Sequence, residues 1–377
     1  MSAVSDSPRD PEAERAEALL STFAAAGYER VEPPILQPAS VFLDQSGEDI
    51  RGRLYLTSDA TGADLCLRPE YTIPVCRAYL AATDARAQAA YYGPVFRHHR
   101  GSAGEFTQTG IESFGRTDRE AADAEIMTLA LEAAQLAGHG PLEVRLGDTG
   151  LFARLLDALS LSPVWTRRIR RAHAKGDALA ALTPRPSDNG DSDHSGVLAV
   201  LEGVDKQGAR ALVQDLLTIA GISSVGGRTA TEIAERFLDQ GALKAESGFH
   251  AGKRVVLERF LKIEGHPDAA SADMRALAAD AKLDLGAALD AFDARLGFIA
   301  AHGYDVGKLT FAAGFGRNLD YYTGFVFQGV DPARRADGPM VGGGRYDKLL
   351  RMLGAASDVP AVGAAIWVDR AGAEMKA

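Results

Sequence analysis

The stretch FRHHRGSAGEFTQTGIESFG, residues 96–115, joins a cationic, glycine-broken loop to a run that alternates like a β-strand. In this run Gln108, Gly110 and Glu112 fall on one face, because successive side chains of a strand point to opposite faces. An amide and a carboxylate on an otherwise apolar strand therefore face the same cleft. The stretch predicts a sheet that carries a ligand site on one face.

The chain of 377 residues is 46% hydrophobic, which is enough apolar material for a substantial core. Its length suits two domains, or one large domain with an insertion. No apolar run approaches the roughly 20 residues that a membrane helix needs, and the polar start lacks a signal-peptide pattern. Cys66 and Cys76 lack the spacing of a disulfide framework or a zinc site. We therefore expect a cytoplasmic globular protein with reduced thiols and a flexible start over residues 1–12.

The net charge of −10 gives no general attraction for nucleic acids. One local exception is WTRRIRRAHAKG, residues 165–176, which is a predicted helix. This segment suits either a solvated helix face or contact with phosphate or an acidic partner surface. Its cations are Arg167, Arg168, Arg170, Arg171 and Lys175.

The order of predicted elements indicates an α+β fold. Helices are predicted over residues 11–26, 73–82 and 117–138, with strands near 31–35 and 65–68 and at YYGPVF and LEVRLGD. Pro33 and Pro34 restrict the first strand to an edge or an interface. Residues 151–301 form a mainly helical middle region in which strand-like alternation appears only at KRVVLERF (253–260). Strands return at Lys308, so residues 13–150 and 302–377 form one sheet core.

Sequence motifs for the common nucleotide sites and hydrolases are absent. GGGRYDK lacks the phosphate-binding G-x-x-x-x-G-K-[ST] pattern, and G-x-G-x-x-G, G-x-S-x-G and H-E-x-x-H do not occur where they would function. We expect no cofactor and no metal. The remaining polar set lies in RPEYT, FRHHR with TQTGIES, GRNLDYYTG and GGGRYD. It contains Glu70, Thr72, Arg97, Gln108, Glu112, Arg317, Tyr321, Tyr322, Arg345 and Tyr346.

The same segments, in order, resemble the motifs of the histidyl-tRNA synthetase catalytic domain. The resemblance runs from about residue 27 to 370 and includes VPAVGAAIWVDR, and its most specific part is RNLDYYTG. GYERVEPPILQP is similar to the dimer-forming first motif of class II synthetases. The resemblance implies a class II synthetase-like antiparallel sheet flanked by helices, and a dimer.

The resemblance also implies a histidine-binding pocket. A carboxylate and a phenol that pair with the two imidazole nitrogens would distinguish histidine from side chains of similar size. The positions that match the family are Glu70, Thr72 and Gln108 for the α-amino group, Glu112 and Tyr322 for the ring nitrogens with Tyr321 beside them, and Arg97 and Arg317 for the carboxylate and the reacting phosphate.

The nucleotide half of the synthetase pattern is incomplete in this chain. His99 stands where the Phe-Arg-x-Glu motif has the glutamate that recognises adenine, and Ser102 stands where synthetases have a cation in a longer loop. The arginine of the third motif is present as Arg370. Only seven residues follow it, so we expect no anticodon-binding domain.

The regulatory subunits of ATP phosphoribosyltransferase are a synthetase-like family without the anticodon domain, and the chain resembles them. This resemblance implies a non-catalytic protein that joins the short catalytic subunit in a hetero-octamer. It would activate that subunit and convey feedback inhibition by histidine in the first step of histidine biosynthesis, without tRNA or membrane partners. The alternative is a truncated synthetase-like enzyme that adenylates histidine or a related amino acid. A purely structural scaffold is a third possibility.

Overall fold

The computed structural model describes residues 11–45, 50–82, 87–98, 104–178, 215, 224–225, 228–229, 251–317 and 319–370. His99 and Ser102 lie outside the described residues, as does most of the start that we expected to be flexible. Within these ranges, none of the helices combines the length and the apolar character needed to cross a membrane.

The strands follow the alternating segments of the sequence. In chain order they are β1 Glu29–Arg30, β2 Leu36–Pro38, β3 Leu56–Ser58, β4 Asp64–Leu67, β5 Gln88–Phe96, β6 Glu105–Phe114, β7 Glu143–Asp148, β8 Ser224–Val225, β9 Arg228–Thr229, β10 Glu264–Gly265, β11 Leu309–Ala312, β12 Phe325–Val330, β13 Val341–Arg345 and β14 Ala361–Trp367.

Nine of these strands form one sheet in the order β1-β5-β6-β14-β13-β12-β7-β11-β10. Neighbouring strands are antiparallel except for the β1–β5 and β7–β11 pairs, which are parallel. β14 joins strands from the first and the last part of the sequence, because it pairs with β6 on one side and with β13 on the other. β2, β4 and β3 form a small separate sheet, and β8 pairs with β9. The predicted α+β class is confirmed.

Helices cover both faces of the large sheet. They are α1 Pro11–Ala25, α2 Ala39–Gln45, α3 Thr72–Ala81, α4 Arg119–Leu136, α5 Thr149–Ala158, α6 Pro163–Ala174, α7 Ala251–Leu261, α8 Pro267–Ala281, α9 Gly286–Ala301 and α10 Leu349–Met352. The larger apolar cluster joins α1, α4, α5, α8 and α9 to one sheet face. The smaller cluster joins α2, α3 and α10 to the other face, which carries the site described below.

The strand-like alternation at KRVVLERF does not form a strand. These residues belong to α7, in which Leu257, Phe260 and Leu261 are buried. Positions i, i+3 and i+4 lie on one side of a helix, so the helical repeat of the buried side chains overrides the local β-propensity.

The strand predicted at residues 31–35 is displaced. β1 ends at Arg30 and β2 begins at Leu36, because the two prolines between them have no N–H to donate to a ladder. Residues 31–35 form no strand, and β1 before them lies at one end of the large sheet, which agrees with the edge alternative of the prediction.

Asp123 of α4 is fully buried and is shared by two buried arginines. Arg295 of α9 donates from Nε to Asp123 Oδ2 at 2.8 Å and from Nη1 to Asp148 Oδ2 at 3.0 Å. Arg345, at the end of β13, donates from Nε to Asp123 Oδ1 at 2.8 Å. Burial disfavours the charge on Arg295, but the two carboxylates hold its pKa above the ordinary value. The cluster ties the last helix of the middle region to the sheet.

We expect Arg295→Met to lower the free energy of unfolding by about 3–5 kcal/mol, because it removes the ion pair of the buried Asp148 and leaves Asp123 with Arg345 alone. Urea denaturation followed by circular dichroism measures the change. Arg275→Met is the matched control, since Arg275 contacts Asp290 and Asp293 on the surface and should change stability little. Equal effects of the two substitutions would contradict the role of the buried cluster.

Candidate functional site

A cavity of about 390 Å³ lies on the sheet face that carries α2, α3 and α10. Its floor is formed by β6, β14, β13 and β12, whose register places Glu112 opposite Gly363 and Gln108 opposite Trp367. Gln108 and Glu112 share this face, as their alternation in the sequence predicted. The volume lies within the range of small-molecule sites.

Two glycines of the sheet make room for charged side chains above it. A β-carbon at Gly363 would overlap the carboxylate of Glu112, and a β-carbon at Gly342 would overlap the guanidinium of Arg317. Gly342 of the GGG segment and Gly363 of the VGA segment are therefore required by the close approach of these side chains to the strands.

Glu112 is fully buried and accepts hydrogen bonds from hydroxyl groups. Thr72 donates from Oγ1 to Oε1 at 2.8 Å, and the Tyr346 phenol donates to Oε2. Burial raises the pKa of Glu112 to about 8, although the Tyr346, Thr72 and Tyr91 hydroxyls favour the ionised form. Within the described part of the chain no salt bridge reaches this carboxylate. Glu112 is thus a buried acid whose charge lacks an ionic partner among the residues that the structure describes.

Glu70 holds the start of helix α3. Its Oε2 accepts from the Thr72 N–H at 2.6 Å and its Oε1 accepts from the Ile73 N–H at 2.9 Å. Burial raises the pKa of Glu70, while these backbone donors and the Arg97 guanidinium oppose the rise. Glu70 therefore caps the first turn of α3 and fixes the position of the Thr72 hydroxyl that reaches Glu112.

Two polar atoms at the cavity are buried without a hydrogen-bond partner in the described residues, Gln108 Oε1 and Arg317 Nε. Arg317 also donates from Nη1 to the Phe327 carbonyl at 2.9 Å, which holds the guanidinium against the floor. Buried polar atoms nearly always have partners, so both atoms are suited to a ligand or a water molecule.

The cavity is lined by more positive than negative charge. Arg97 is oriented by a 2.7 Å bond from Nε to the Pro69 carbonyl and lies over the Phe106 ring. Arg370 stacks on Trp367, and burial lowers its pKa to about 10. The cations of the lining are Arg53, Arg97, Lys175, Arg317 and Arg370, whereas Glu70 is its one carboxylate among the described residues. The lining therefore suits a ligand with an anionic group.

The eight residues predicted from the sequence are brought together here. Seven of them line the cavity, and Glu112 lies directly beneath it against Thr72. The sequence interpretation gave no site role to Tyr91 or Tyr346, which are buried beside Glu112. Tyr91 could have been found from pairing, because it lies opposite Gly110 on the neighbouring strand. Within the described ranges no group of three or more His, Cys, Asp or Glu side chains is placed to hold a metal ion.

The titration of Glu112 leads to a prediction about stability. Its pKa rises from the ordinary 4.5 to about 8 on folding, so its protonation stabilises the fold below pH 4.5, and this contribution is lost as the pH rises to about 8. Glu112→Gln removes the titration. Urea denaturation without ligand measures the difference in unfolding free energy between the wild type and this variant. We expect this difference to fall as the pH rises from 4.5 to about 8. Glu132→Gln, at an exposed position of α4, is the control. A constant difference between wild type and Glu112→Gln would contradict the prediction.

Comparison with known proteins identifies the family. The sequence model of the family described as Histidyl-tRNA synthetase matches residues 9–210 and 206–371. A protein of Brucella canis named ATP phosphoribosyltransferase regulatory subunit is 45% identical over 359 residues, which cover 94% of this chain and 95% of that protein. A Brucella suis protein of the same name matches equally well. The chain belongs to the ATP phosphoribosyltransferase regulatory subunit family. Membership in this regulatory subunit family confirms the predicted resemblance and favours a non-catalytic protein over the adenylating alternative.

Solved structures share the fold of this regulatory subunit family. A Bacillus halodurans C structure, titled as an ATP phosphoribosyltransferase regulatory subunit/histidyl-tRNA synthetase, has a TM-score of 0.64 at 20% identity and covers 98% of this chain and 83% of its own. The histidyl-tRNA synthetase of Nostoc sp. PCC 7120 has a TM-score of 0.61 at 15% identity, with coverage of 95% and 70%. The predicted class II synthetase-like fold is confirmed.

Proposed function

We propose that this protein activates a short-form ATP phosphoribosyltransferase catalytic subunit and makes it sensitive to histidine. The enzyme would then respond to the end product of the pathway that it begins. The observation that carries the proposal is the buried Glu112 carboxylate, which is held by neutral hydroxyls at the base of a cationic cavity. The family names of the relatives support the regulatory role.

Histidine complements the groups that the cavity presents. An imidazole N–H can donate to Glu112, and Tyr322 offers a phenol for the other ring nitrogen. The unpartnered Gln108 Oε1 suits the α-amino group, while Arg97 and Arg317 suit the carboxylate. A site built to pair buried polar groups rejects ligands that leave them unpaired, so amino acids without two ring nitrogens should bind poorly.

Feedback by histidine requires a difference in its affinity between two arrangements of the complex. Histidine then favours the arrangement that it binds better, and the substrates of the catalytic subunit favour the other. The coupling is reciprocal, so the catalytic subunit in its active arrangement must lower the affinity for histidine.

A hetero-octamer with the catalytic subunit and self-association of this chain complete the proposal. The small sheet exposes Leu36 and Leu56, whose exposed fractions are 50% and 63%, and Ile35 lies next to Leu36 with 41%. An exposed apolar group of this kind is typical of a protein contact.

We propose the cytoplasm as the compartment, which suits the buried free thiols of Cys66 and Cys76.

We expect histidine to bind the purified chain, and Glu112→Gln to weaken binding at least about tenfold above pH 8, where Glu112 is mostly ionised, because a hydrogen bond to a charged group is lost. Gly342→Ala should also weaken binding, since the new methyl group displaces Arg317. Glu132→Gln and Gly297→Ala are the matched controls, and the space beside Gly297 is open. Isothermal titration calorimetry measures the affinities. Unchanged affinity in folded Glu112→Gln would exclude this pocket as the histidine site.

Activity with a partner tests the regulatory function directly. Addition of the chain to the short-form catalytic subunit from the same genome should raise its ATP phosphoribosyltransferase activity, and histidine should then lower it. ATP–pyrophosphate exchange driven by histidine should be absent from the chain alone. Robust exchange without any effect on the catalytic subunit would support the adenylating enzyme instead.

A further inference from the structure

Helix α6 presents a cationic face that the histidine pocket does not use. The helix begins after Ser162, buries Val164, Ile169 and His173, and contains no acidic residue. Arg167, Arg170 and Arg171 lie on its exposed side. Positions i, i+3 and i+4 are neighbours on a helix surface, so these three arginines form one patch. The patch contrasts with the net charge of −10 on the whole chain.

The apolar packing of α6 against the core does not depend on these charges. The apolar contacts that bind α6 to the core come from Val164 and Ile169 on its buried side. Arg167 and Arg171 are four residues apart, where like charges destabilise a helix by a few tenths of a kcal/mol. Arg170 gains a surface pair with Asp157 at 3.0 Å, which contributes little because both side chains are about half exposed.

The C-terminal end of α6 is packed against the wall of the cavity. His173 Nε2 lies 2.8 Å from the Ala313 carbonyl oxygen, and its ring stacks on Phe152 with centroids 3.9 Å apart. The backbone of His173 and Ala174 leaves no space for a β-carbon at Gly316, the residue before Arg317. Lys175, just after the helix, lines the same cavity. Gly316 and Arg317 form the part of the cavity lining that we call the Arg317 wall. Because Gly316 touches the end of α6, any movement of this wall must be accommodated by α6.

We propose that the α6 patch, defined by Arg167, Arg170 and Arg171, docks on an acidic surface of the catalytic subunit and transmits the state of the histidine pocket to it. The proposal rests on the proposed function and names the surface through which that function operates. The patch lies on a convex helix face, so it does not enclose a small anion. An acidic protein surface is complementary to the patch, and the relatives named regulatory subunits imply a catalytic protein partner.

Coupling through α6 follows from this geometry. A ligand carboxylate that draws Arg317 toward the cavity changes the packing of Gly316 against the end of α6. The shift alters how the arginine patch meets its partner. Conversely, a partner that holds α6 restricts the Arg317 wall and so changes the affinity for histidine. The factor of this change equals the factor by which histidine changes the affinity for the partner.

The double substitution Arg167→Glu with Arg171→Glu tests the docking surface. We expect at least about tenfold weaker binding to the short-form catalytic subunit, measured by biolayer interferometry, with the loss largest at low salt. The double variant Lys348→Glu with Arg351→Glu is the control, because it makes the same charge change at two exposed positions, one just before α10 and one within it. It should bind the catalytic subunit like the wild type. The affinity of the α6 variant alone for histidine should stay the same, since neither side chain lines the cavity.

Three results would overturn the proposal. If both double variants bind the catalytic subunit like the wild type, α6 is not the docking surface, although the proposed function stands. If the α6 variant keeps that binding but loses a gel shift with RNA that the wild type shows, the patch contacts nucleic acid. If the wild type itself does not bind the catalytic subunit, the proposed function and this inference both fail. Thermal unfolding establishes that each variant is folded. The milder double substitution Arg167→Gln with Arg171→Gln should give an intermediate loss of affinity for the catalytic subunit.

Discussion

The buried carboxylate of Asp123, which two arginines share, is the constraint on which the arrangement of this protein depends. A carboxylate in the interior is costly unless it is paired, and here Arg295 and Arg345 satisfy both of its oxygens. The two arginines come from a helix of the middle region and from a central strand. Because the loss of either arginine would leave one oxygen of this buried carboxylate without its donor, the middle helices and the sheet must keep their relative positions.

Arg345 connects this scaffold to the pocket. Its side chain reaches Asp123 on the face of the sheet that carries α4. The next residue, Tyr346, donates its phenol O–H to Glu112 on the opposite face. The two buried acids have opposite environments. Asp123 is held by cations, whereas Glu112 meets neutral hydroxyls and has its pKa raised to about 8 by burial. Environments that separate two carboxylates in this way assign them different tasks, one in the scaffold and one in the site.

Much of the candidate site could be predicted because strand alternation is a strict local rule. Gln108 and Glu112 had to share a face once the stretch was a strand, and the resemblance supplied the other positions. Tyr346 was visible in the sequence but had no assigned role, since its contact with Glu112 depends on β13, β14 and β6 lying side by side. The strand-like alternation of KRVVLERF does not produce a strand, because its neighbours in space, and not its alternation, decide which residues are buried.

The sequence by itself determined the α+β class, the strand that carries Gln108 and Glu112, the edge position of the first strand and the family. Each of these follows from local periodicity, from the missing N–H of proline or from ordered motifs. Only the tertiary structure decided that Glu112 has an elevated pKa, that glycines at 342 and 363 make room for charged groups, and that α6 ends at the cavity wall. These properties depend on burial and on contacts between residues far apart in the chain, and no local pattern records them.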